Sequence, residues 1–581
     1  MQLLKPLMGI FETASHLSTD ETIVCGWKVA QMKEIGGAPK SLTTKEVRVD
    51  SKANVIDLIR NPEKARELEA EHKGSVEHIN IDEDVIRLNV LFGKVAGSRG
   101  SLYELGEELN DAPTSEAAYA VLEKWERKYQ DVNEPLKGVR IAIDGVHTGT
   151  GPIAAEVFKR LGAEVHARNL DIRLVTGRHN ANLSIDENLA NVRETIKSVN
   201  ADFGMAFDLG GDRGLIVTPD PSTANGFYEI ESDEAQVVLL QELKEKWGYD
   251  NIPTGFIRDV LGTYALNLIA KKMDVRFDQT DAGYPFLKVR KEVRENEAKA
   301  KGERIVFPVF GERSGRIWLH FTGEIENPLA VEILFAAMVR HGKKDLIEQG
   351  LAGNDFDAPT AIKIFNEKRI PFTKSKRVQP LFHLDFLKDL ESNPENKEIG
   401  WTFNGEVGKF KNPPSALIKV GNDIVVKKLK EFFTPGKEFN TPVGVLTVSE
   451  FNTERDDGAI GGRHQFADII FEQNGGVVGR IVFRTSSKDS TFASTYEAPG
   501  EGRELHRNSA MGIVFDFLKD NNIALVTTDM LDLLPLTDEQ KKDVIAKFNL
   551  KFLEEDYISY QRAAGREVAP LLVNQYEIDT G

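Results

Sequence analysis

Cysteine is almost absent: one, Cys25, in 581 residues. A lone thiol cannot make an internal disulfide, which suits a chain kept in a reducing compartment. Cys25 lies in the apolar run Ile23-Val-Cys25, where a thiol is more often inert packing than a nucleophile. Long hydrophobic runs are missing too, and none approaches the ~18 residues that a membrane span requires. Met1 to Ile10 is too short and too weakly basic to read as a secretory signal, so the cytoplasm is the expected location. Positive charge is in deficit, with 74 Lys and Arg against 91 Asp and Glu and a net charge of −17. Nucleic acid and anionic membranes both demand a basic footprint, so neither is expected as a main partner. Small anions stay open, because a local cluster of Arg and Lys can hold them.

What is present is ordinary for a globular protein: 41% hydrophobic and 28% charged residues. The length exceeds what one core can organise, so three to five domains are expected. Residues 41–131 read as amphipathic helices with solvated faces, Glu116–Tyr129 among them. Near Leu136 the texture changes. Gly138–Asp144 reads as a strand, Gly145–Gly151 as a turn, Pro152 as the first position of a helix to Leu161, and Gly162–His166 as the next, parallel strand. The turn contains Gly149-x-Gly151-x-x-Ala154, with Asp171 beyond it, which matches a dinucleotide fingerprint and keeps a nicotinamide or flavin enzyme open. Pro152 removes a backbone donor from such a phosphate turn, so a tight strand-to-helix turn is preferred.

A helix over Asp186–Asn200 and a buried strand Phe203–Phe207 follow, and the strand breaks into Asp208-Leu-Gly-Gly-Asp-Arg213. Asp208 and Asp212 stand four residues apart on a glycine-permitted loop, at the strand end where open parallel sheets bind ligands. Two such carboxylates can converge on Mg²⁺, which keeps waters and takes phosphate oxygens as further ligands. The same residues also make an ordinary strand-end turn. After a helix over Asp233–Trp247 the crossover pattern restarts, with strand Thr254–Ile257, helix Asp259–Lys272, strand Val275–Phe277, a charged helix Lys288–Lys301 and strand Arg304–Phe310. Gly311-Glu-Arg-Ser-Gly-Arg316 comes next, followed by a helix Asn327–His341. Glu312 and Ser314 are candidates for sugar hydroxyls, Arg313 or Arg316 for phosphate, and a charged hairpin turn is the plainer alternative. The last domain reads as α+β, with strands Gly475–Arg484 and Ala493–Ala498 around the hydroxyl-rich loop Arg484–Thr491. That loop is a phosphate clamp or a simple hairpin.

Four stretches taken together resemble the α-D-phosphohexomutase superfamily over most of the chain from Gly9 onward. Gly9-Ile-x-x-Thr-Ala-Ser-His16 with Gly26-Trp-Lys28 is similar to its phosphoserine loop, and Asp208-x-Gly-x-Asp-Arg213 to its metal loop. Gly311-Glu-x-Ser-Gly315 is similar to its sugar-recognition loop, and Arg484-x-Ser486 with Tyr496-Glu-Ala498 to its distal phosphate loop. The resemblance implies tandem mixed-sheet α/β domains with helices on both faces and a smaller α+β C-terminal domain, divided near 1–137, 138–250, 251–400 and 401–581. It implies exchange of a phosphoryl group between the 1- and 6-positions of a hexose phosphate through a phosphoserine and a bisphosphorylated sugar. Ser15 would carry the phosphate, and Lys28, then His16, would do acid/base work. Ser15, Asp208 and Asp212 would hold Mg²⁺, with Arg213 on the phosphate. Glu312, Ser314, Arg316, Arg484, Ser486, Ser487 and Lys488 would bind substrate, and a glucose 1,6-bisphosphate-type activator would prime the serine.

Departures are as plain as matches. Gly210 stands where the family has a middle aspartate, Arg316 where histidine is usual, Leu17-Ser18 where Asn-Pro follows, and Ser487-Lys488 where Gly-Thr is common. Asp281–Phe286 lacks the usual lysine. Twelve residues precede Thr13, fewer than the family has before this loop, so an earlier start, a second polypeptide or a rebuilt first domain is expected. These departures keep open a relative that binds a sugar phosphate without turning it over, as a regulatory or scaffold protein.

Overall fold

The computed structural model describes residues 82–171, 183, 186–208, 211–280, 284–323, 326–348, 360–372, 376–378, 381–382, 424–452, 466–485, 492–500, 503–521 and 524–525. Ser15, His16, Lys28, Ser486, Ser487 and Lys488 lie outside these residues, and Arg484 is described in its backbone alone. The chain forms two compact units, one of residues 1–230, 242–250 and 316–364, the other of residues 231–241, 251–315 and 365–581. No helix among the described residues is long and apolar enough to cross a membrane.

The first unit opens with three helices, α1 Asp82–Gly97, α2 Leu102–Asn110 and α3 Ser115–Lys128. Leu88, Leu91, Phe92, Val95 and Ala96 form the buried stripe of α1 at helical spacing. Ser101 and Thr114 cap α2 and α3, accepting the Glu104 and Ala117 amides. Then come β1 Arg140–Asp144, α4 Thr150–Arg160, β2 Glu164–Arg168, α5 Ala190–Val199, β3 Phe203–Phe207, β4 Gly214–Pro219 and β5 Phe227–Ile230. Their spatial order is β2-β1-β3-β4-β5, parallel across β2-β1-β3 and antiparallel beyond. The chain leaves β1 for β2 on one side and returns to β3 on the other, so the strand order reverses between β1 and β3. In open sheets of this kind the crevice at the carboxyl ends of such a strand pair is the ligand-binding place.

In the second unit, α6 Ser232–Lys246 contributes its first ten residues. β6 Gly255–Asp259 pairs in parallel with β7 Arg276–Thr280 and with β8 Val309–Gly311, with helices α7 Ala265–Lys272 and α8 Tyr284–Ala300 in the crossovers. A six-stranded antiparallel sheet runs in the order Lys376–Val378, Phe492–Glu497, Gly476–Thr485, Phe466–Gln473, Gly444–Asn452, Glu438–Thr441. Helix Glu504–Asp520 packs on its Gly476–Thr485 and Phe492–Glu497 strands.

A fully buried charge network joins that sheet to the end of β6. The Arg480 guanidinium donates to Asp468, to Glu497 and to the carbonyls of Val260 and Gly262. Arg258 donates to Gln279, Asp468 and the Gly262 carbonyl. Burial, with Arg480 close by, lowers Arg258 to about 10. Arg480 is held above its usual range because Asp468 and Glu497 outweigh its own burial. Breaking one member of such a set is costly, since the partners left behind are buried charges.

Candidate active site

Asp208–Arg213 is the hairpin connection between β3 and β4, where Phe207 pairs with Gly214. All five residues of β3 are buried, so the chain reaches Asp208 rigidly and leaves the core abruptly. The loop is cinched by its own backbone. The Asp208 amide donates to the Arg213 carbonyl at 3.2 Å, the Arg213 amide to Asp208 Oδ1 at 3.2 Å, and the Gly211 amide to the Asp208 carbonyl at 3.1 Å. Arg213 is buried, with Nε 3.7 Å from Asp208 Oδ2.

A second cation reaches the loop from elsewhere in the same unit. Arg316, 7% exposed, places Nη2 at 2.7 Å and Nε at 2.8 Å from Asp212 Oδ2, and its Nε lies 3.9 Å from Glu326. The two aspartates are thereby driven apart in acidity. Burial, together with the charge of Asp212, pushes Asp208 up to about 7, against the pull of Arg213. Burial also raises Asp212, but Arg316 and Arg213 outweigh it and hold that carboxyl below its usual range.

The expected Mg²⁺ can be set against this donor set. Gly210 contributes no side-chain oxygen, and Asp212 Oδ2 already accepts the Arg316 Nε–H and lies 2.7 Å from its Nη2, so this carboxylate faces a fixed positive charge. Among the described residues no group of three His, Cys, Asp or Glu gathers as metal ligands. The residues as arranged do not fit a divalent cation.

Beside the loop lies the turn from β1 to α4. Thr150 Oγ1 stands 3.5 Å from the Gly211 carbonyl, and Asp144 Oδ1 accepts the Val146 amide and the Asn169 side-chain amide. Asp144 was not among the expected site residues. Its signal in the sequence is that it ends an apolar run directly before a glycine turn, as Asp208 does. The Gly149-to-Ala154 stretch is a tight strand-to-helix turn: a side chain on Gly151 would meet the Gly145 backbone at 2.5 Å. The helix starts at Thr150, which puts Pro152 in its third position rather than its first.

In the second unit, the Gly311–Gly315 loop follows β8 and is held from the start of α6. Ser232 Oγ donates to the Glu312 carbonyl at 2.8 Å, and Arg313 Nη2 pairs with Glu231 at 2.9 Å. Ser314 Oγ donates to Glu312 Oε2 at 2.7 Å, and both side chains are buried. Glu312 Oε1 is buried and has no hydrogen-bond partner among the described residues, so the loop presents a fixed acceptor. Of the two arginines offered for phosphate, Arg313 meets a carboxylate here and Arg316 meets one in the first unit. Composition gave no hint of a buried acid at Glu332, which lies on the helix Pro328–Glu348 with Oε1 2.5 Å from where a side chain on Gly214 would begin.

Residues 122–221 match the family model described as phosphoglucomutase/phosphomannomutase, alpha/beta/alpha domain II. The phosphoglucosamine mutase of Shewanella sediminis is 27% identical over 213 residues, which is 37% of this chain and 43% of that protein. The phosphoglucosamine mutase of Campylobacter jejuni is 26% identical over 276 residues, 46% of this chain and 53% of that one. The chain thus spans about half the length of these curated relatives. A phosphoglucomutase/phosphomannomutase family protein from Burkholderia thailandensis is similar in structure over 66% of this chain and 60% of its own, at 16% identity and a TM-score of 0.40. Residues 122–221 enclose β1 to β4 and the whole Asp208–Arg213 loop, so this segment of the chain is similar to domain II of the phosphoglucomutase/phosphomannomutase family.

Proposed function

We propose that the chain is a phosphohexomutase-like enzyme that moves a phosphoryl group between the 1- and 6-positions of a hexose phosphate. The observation that carries this reading is the position of Asp208–Arg213, at the carboxyl end of β3 inside the segment matched by the family model. Ser15 carries the phosphoryl group and passes it to a sugar hydroxyl. The bisphosphorylated hexose then reorients and returns its other phosphate to Ser15, restoring the enzyme. Lys28, or His16 behind it, takes and returns the hydroxyl proton. Arg213 offers N–H groups to the phosphoryl oxygens, and Arg484, Ser486, Ser487 and Lys488 take the distal phosphate. Glu312 accepts from the sugar, with its free geometry already set by Ser314. Glucose, mannose or, from the names of the relatives, glucosamine phosphate are the substrates to try. The chain is read as four segments divided near residues 137, 250 and 400. Mg²⁺ is the ion the resemblance implies, but no step here runs through it, because Asp212 already holds Arg316.

The Arg316–Asp212 pair also favours a second reading, a binder of sugar phosphate that does not turn it over. One experiment separates the two. Incubation with glucose 1,6-bisphosphate, then intact mass and peptide mapping, is expected to add one phosphate at Ser15 that discharges onto glucose 1-phosphate. Ser15→Ala is expected to abolish the label. Hexose phosphate binding without any label on the wild-type chain would select the binding protein.

A further inference from the structure

We infer that Arg316 takes the place of the divalent cation at the Asp208–Arg213 loop, so that the loop meets a phosphoryl group with two guanidinium ions and no metal. The inference deepens the functional reading and rests on it for the identity of the anion, although its first test does not.

Its basis is geometric. Asp212 lies on a loop whose position, at the carboxyl end of a buried strand, suits it to face a ligand. Its Oδ2 already accepts from Nε of one buried arginine at 2.8 Å, with Nη2 of the same guanidinium 2.7 Å away. A dication bound by Asp208 and Asp212 would have to share that oxygen with a fixed positive charge. Arg213 stands within ion-pair distance of Asp208 and Arg316 within ion-pair distance of Asp212, so each aspartate already faces a fixed positive charge. Neither arginine can shed its proton to make room, because a guanidinium stays charged at any accessible pH. Gly210 fits the same arrangement: it adds no side-chain oxygen to the loop that could ligate a cation in place of Asp212.

The substituted charge is chemically adequate for the task. A transferring phosphoryl group spreads negative charge over its oxygens, and planar, preorganised guanidinium groups stabilise it by paired N–H contacts, as metal ions do by direct ligation. The salt bridge to Asp212 holds Arg316 in place before the phosphate arrives, which lowers the ordering cost of binding.

The test uses Mn²⁺ alone as probe, followed by electron paramagnetic resonance on the full chain. Wild type is expected to bind no Mn²⁺ that Asp212→Asn removes. Arg316→His, and Arg316→His combined with Gly210→Asp, are expected to gain one site per chain, bound at least tenfold more tightly than any wild-type site and lost again on Asp212→Asn. A wild-type Mn²⁺ site abolished by Asp212→Asn would overturn the inference. Failure of both variants to gain a site would overturn it as well, since the arginine would not then be what keeps metal out. Calorimetry with glucose 6-phosphate, with and without chelator, adds a separate arm. Affinity unchanged by chelator but reduced at least tenfold in Arg316→Met is expected, and affinity lost to chelator overturns the proposal. A chain that binds no hexose phosphate in either condition, with the Mn²⁺ results as expected, would count against the functional reading and leave the exclusion of metal standing.

Discussion

Glu312 gives one carboxylate oxygen to the Ser314 hydroxyl and keeps the other buried, with no hydrogen-bond partner among the described residues. A buried acceptor left unmatched costs roughly 1–3 kcal/mol, an expense that a ligand hydroxyl would relieve. Glu312→Gln keeps the shape but weakens the acceptor. It is expected to lower hexose phosphate affinity about tenfold, or roughly 1.4 kcal/mol, by titration calorimetry, with little change in melting temperature. Equal affinity in the variant would remove Glu312 from the sugar site. At this scale the sequence was legible where the signal is chemical and local. Acidic and hydroxyl residues on glycine loops after apolar strands stood out at Asp208, Asp212, Glu312 and Ser314. The partner of Asp212 was not legible, because Arg316 comes from a point 104 residues further along the chain, and no local pattern encodes such a contact.

Elements followed the apolar periodicity closely in type and less closely in extent. Strand Arg304–Phe310 was expected whole; instead Val306 makes one bridge to Thr254 and the strand resumes at Val309. Pro308 lies in the gap, and a residue without an amide hydrogen cannot continue a ladder. Helix Asp259–Lys272 was expected as part of the restarted crossover, but Asp259 ends β6 and its Oδ1 accepts the Gly262 amide at 2.6 Å, a side-chain turn that delays the helix to Ala265. Helix Lys288–Lys301 begins four residues earlier, at Tyr284, with Pro285 in its first turn. The β1-to-α4 turn gives a sharper comparison, because its two fingerprint glycines have opposite surroundings. A methyl on Gly151 would strike the Gly145 backbone at 2.5 Å, whereas Gly149 faces nothing within 4 Å. Gly151→Ala is expected to destabilise the fold by about 1–3 kcal/mol in urea unfolding. Gly149→Ala should stay within about 0.5 kcal/mol. A turn built to cradle a dinucleotide would show the reverse concern, with loss of cofactor binding rather than of stability.

Across the whole molecule, the net charge of −17 counts every acid as ionised, yet among the described residues Glu332 and Asp233 resist ionisation as Asp208 does. Burial alone holds Glu332 well above its ordinary 4.5, and neither of its oxygens finds a hydrogen-bond partner among the described residues. Burial, reinforced by Glu231, Glu234 and Glu497 against the pull of Arg313, brings Asp233 up to about 7. A carboxyl whose folded pKa is raised holds its proton in the native state after the unfolded chain has released it. Over that interval the native state binds more protons than the unfolded one, so stability falls as pH rises. For Asp233 the interval runs from 3.8 to about 7, and for Glu332 it opens at 4.5 and extends upward. Each pH unit inside the window costs about 1.4 kcal/mol per group. Stability is therefore expected to decline between pH 5 and pH 8, opposite to the course set by salt-bridged carboxylates such as Asp278, which Arg294 and Arg290 hold low against its burial. Glu332→Gln cannot ionise, so it should match wild type near pH 5 and exceed it at pH 8 by more than about 1 kcal/mol in urea denaturation. The ordinary ion pairs shared by both proteins cancel in that difference, which makes its growth with pH a direct reading of the one buried carboxyl. A difference that stays flat from pH 5 to 8 would mean that Glu332 ionises in the native fold as it does in water.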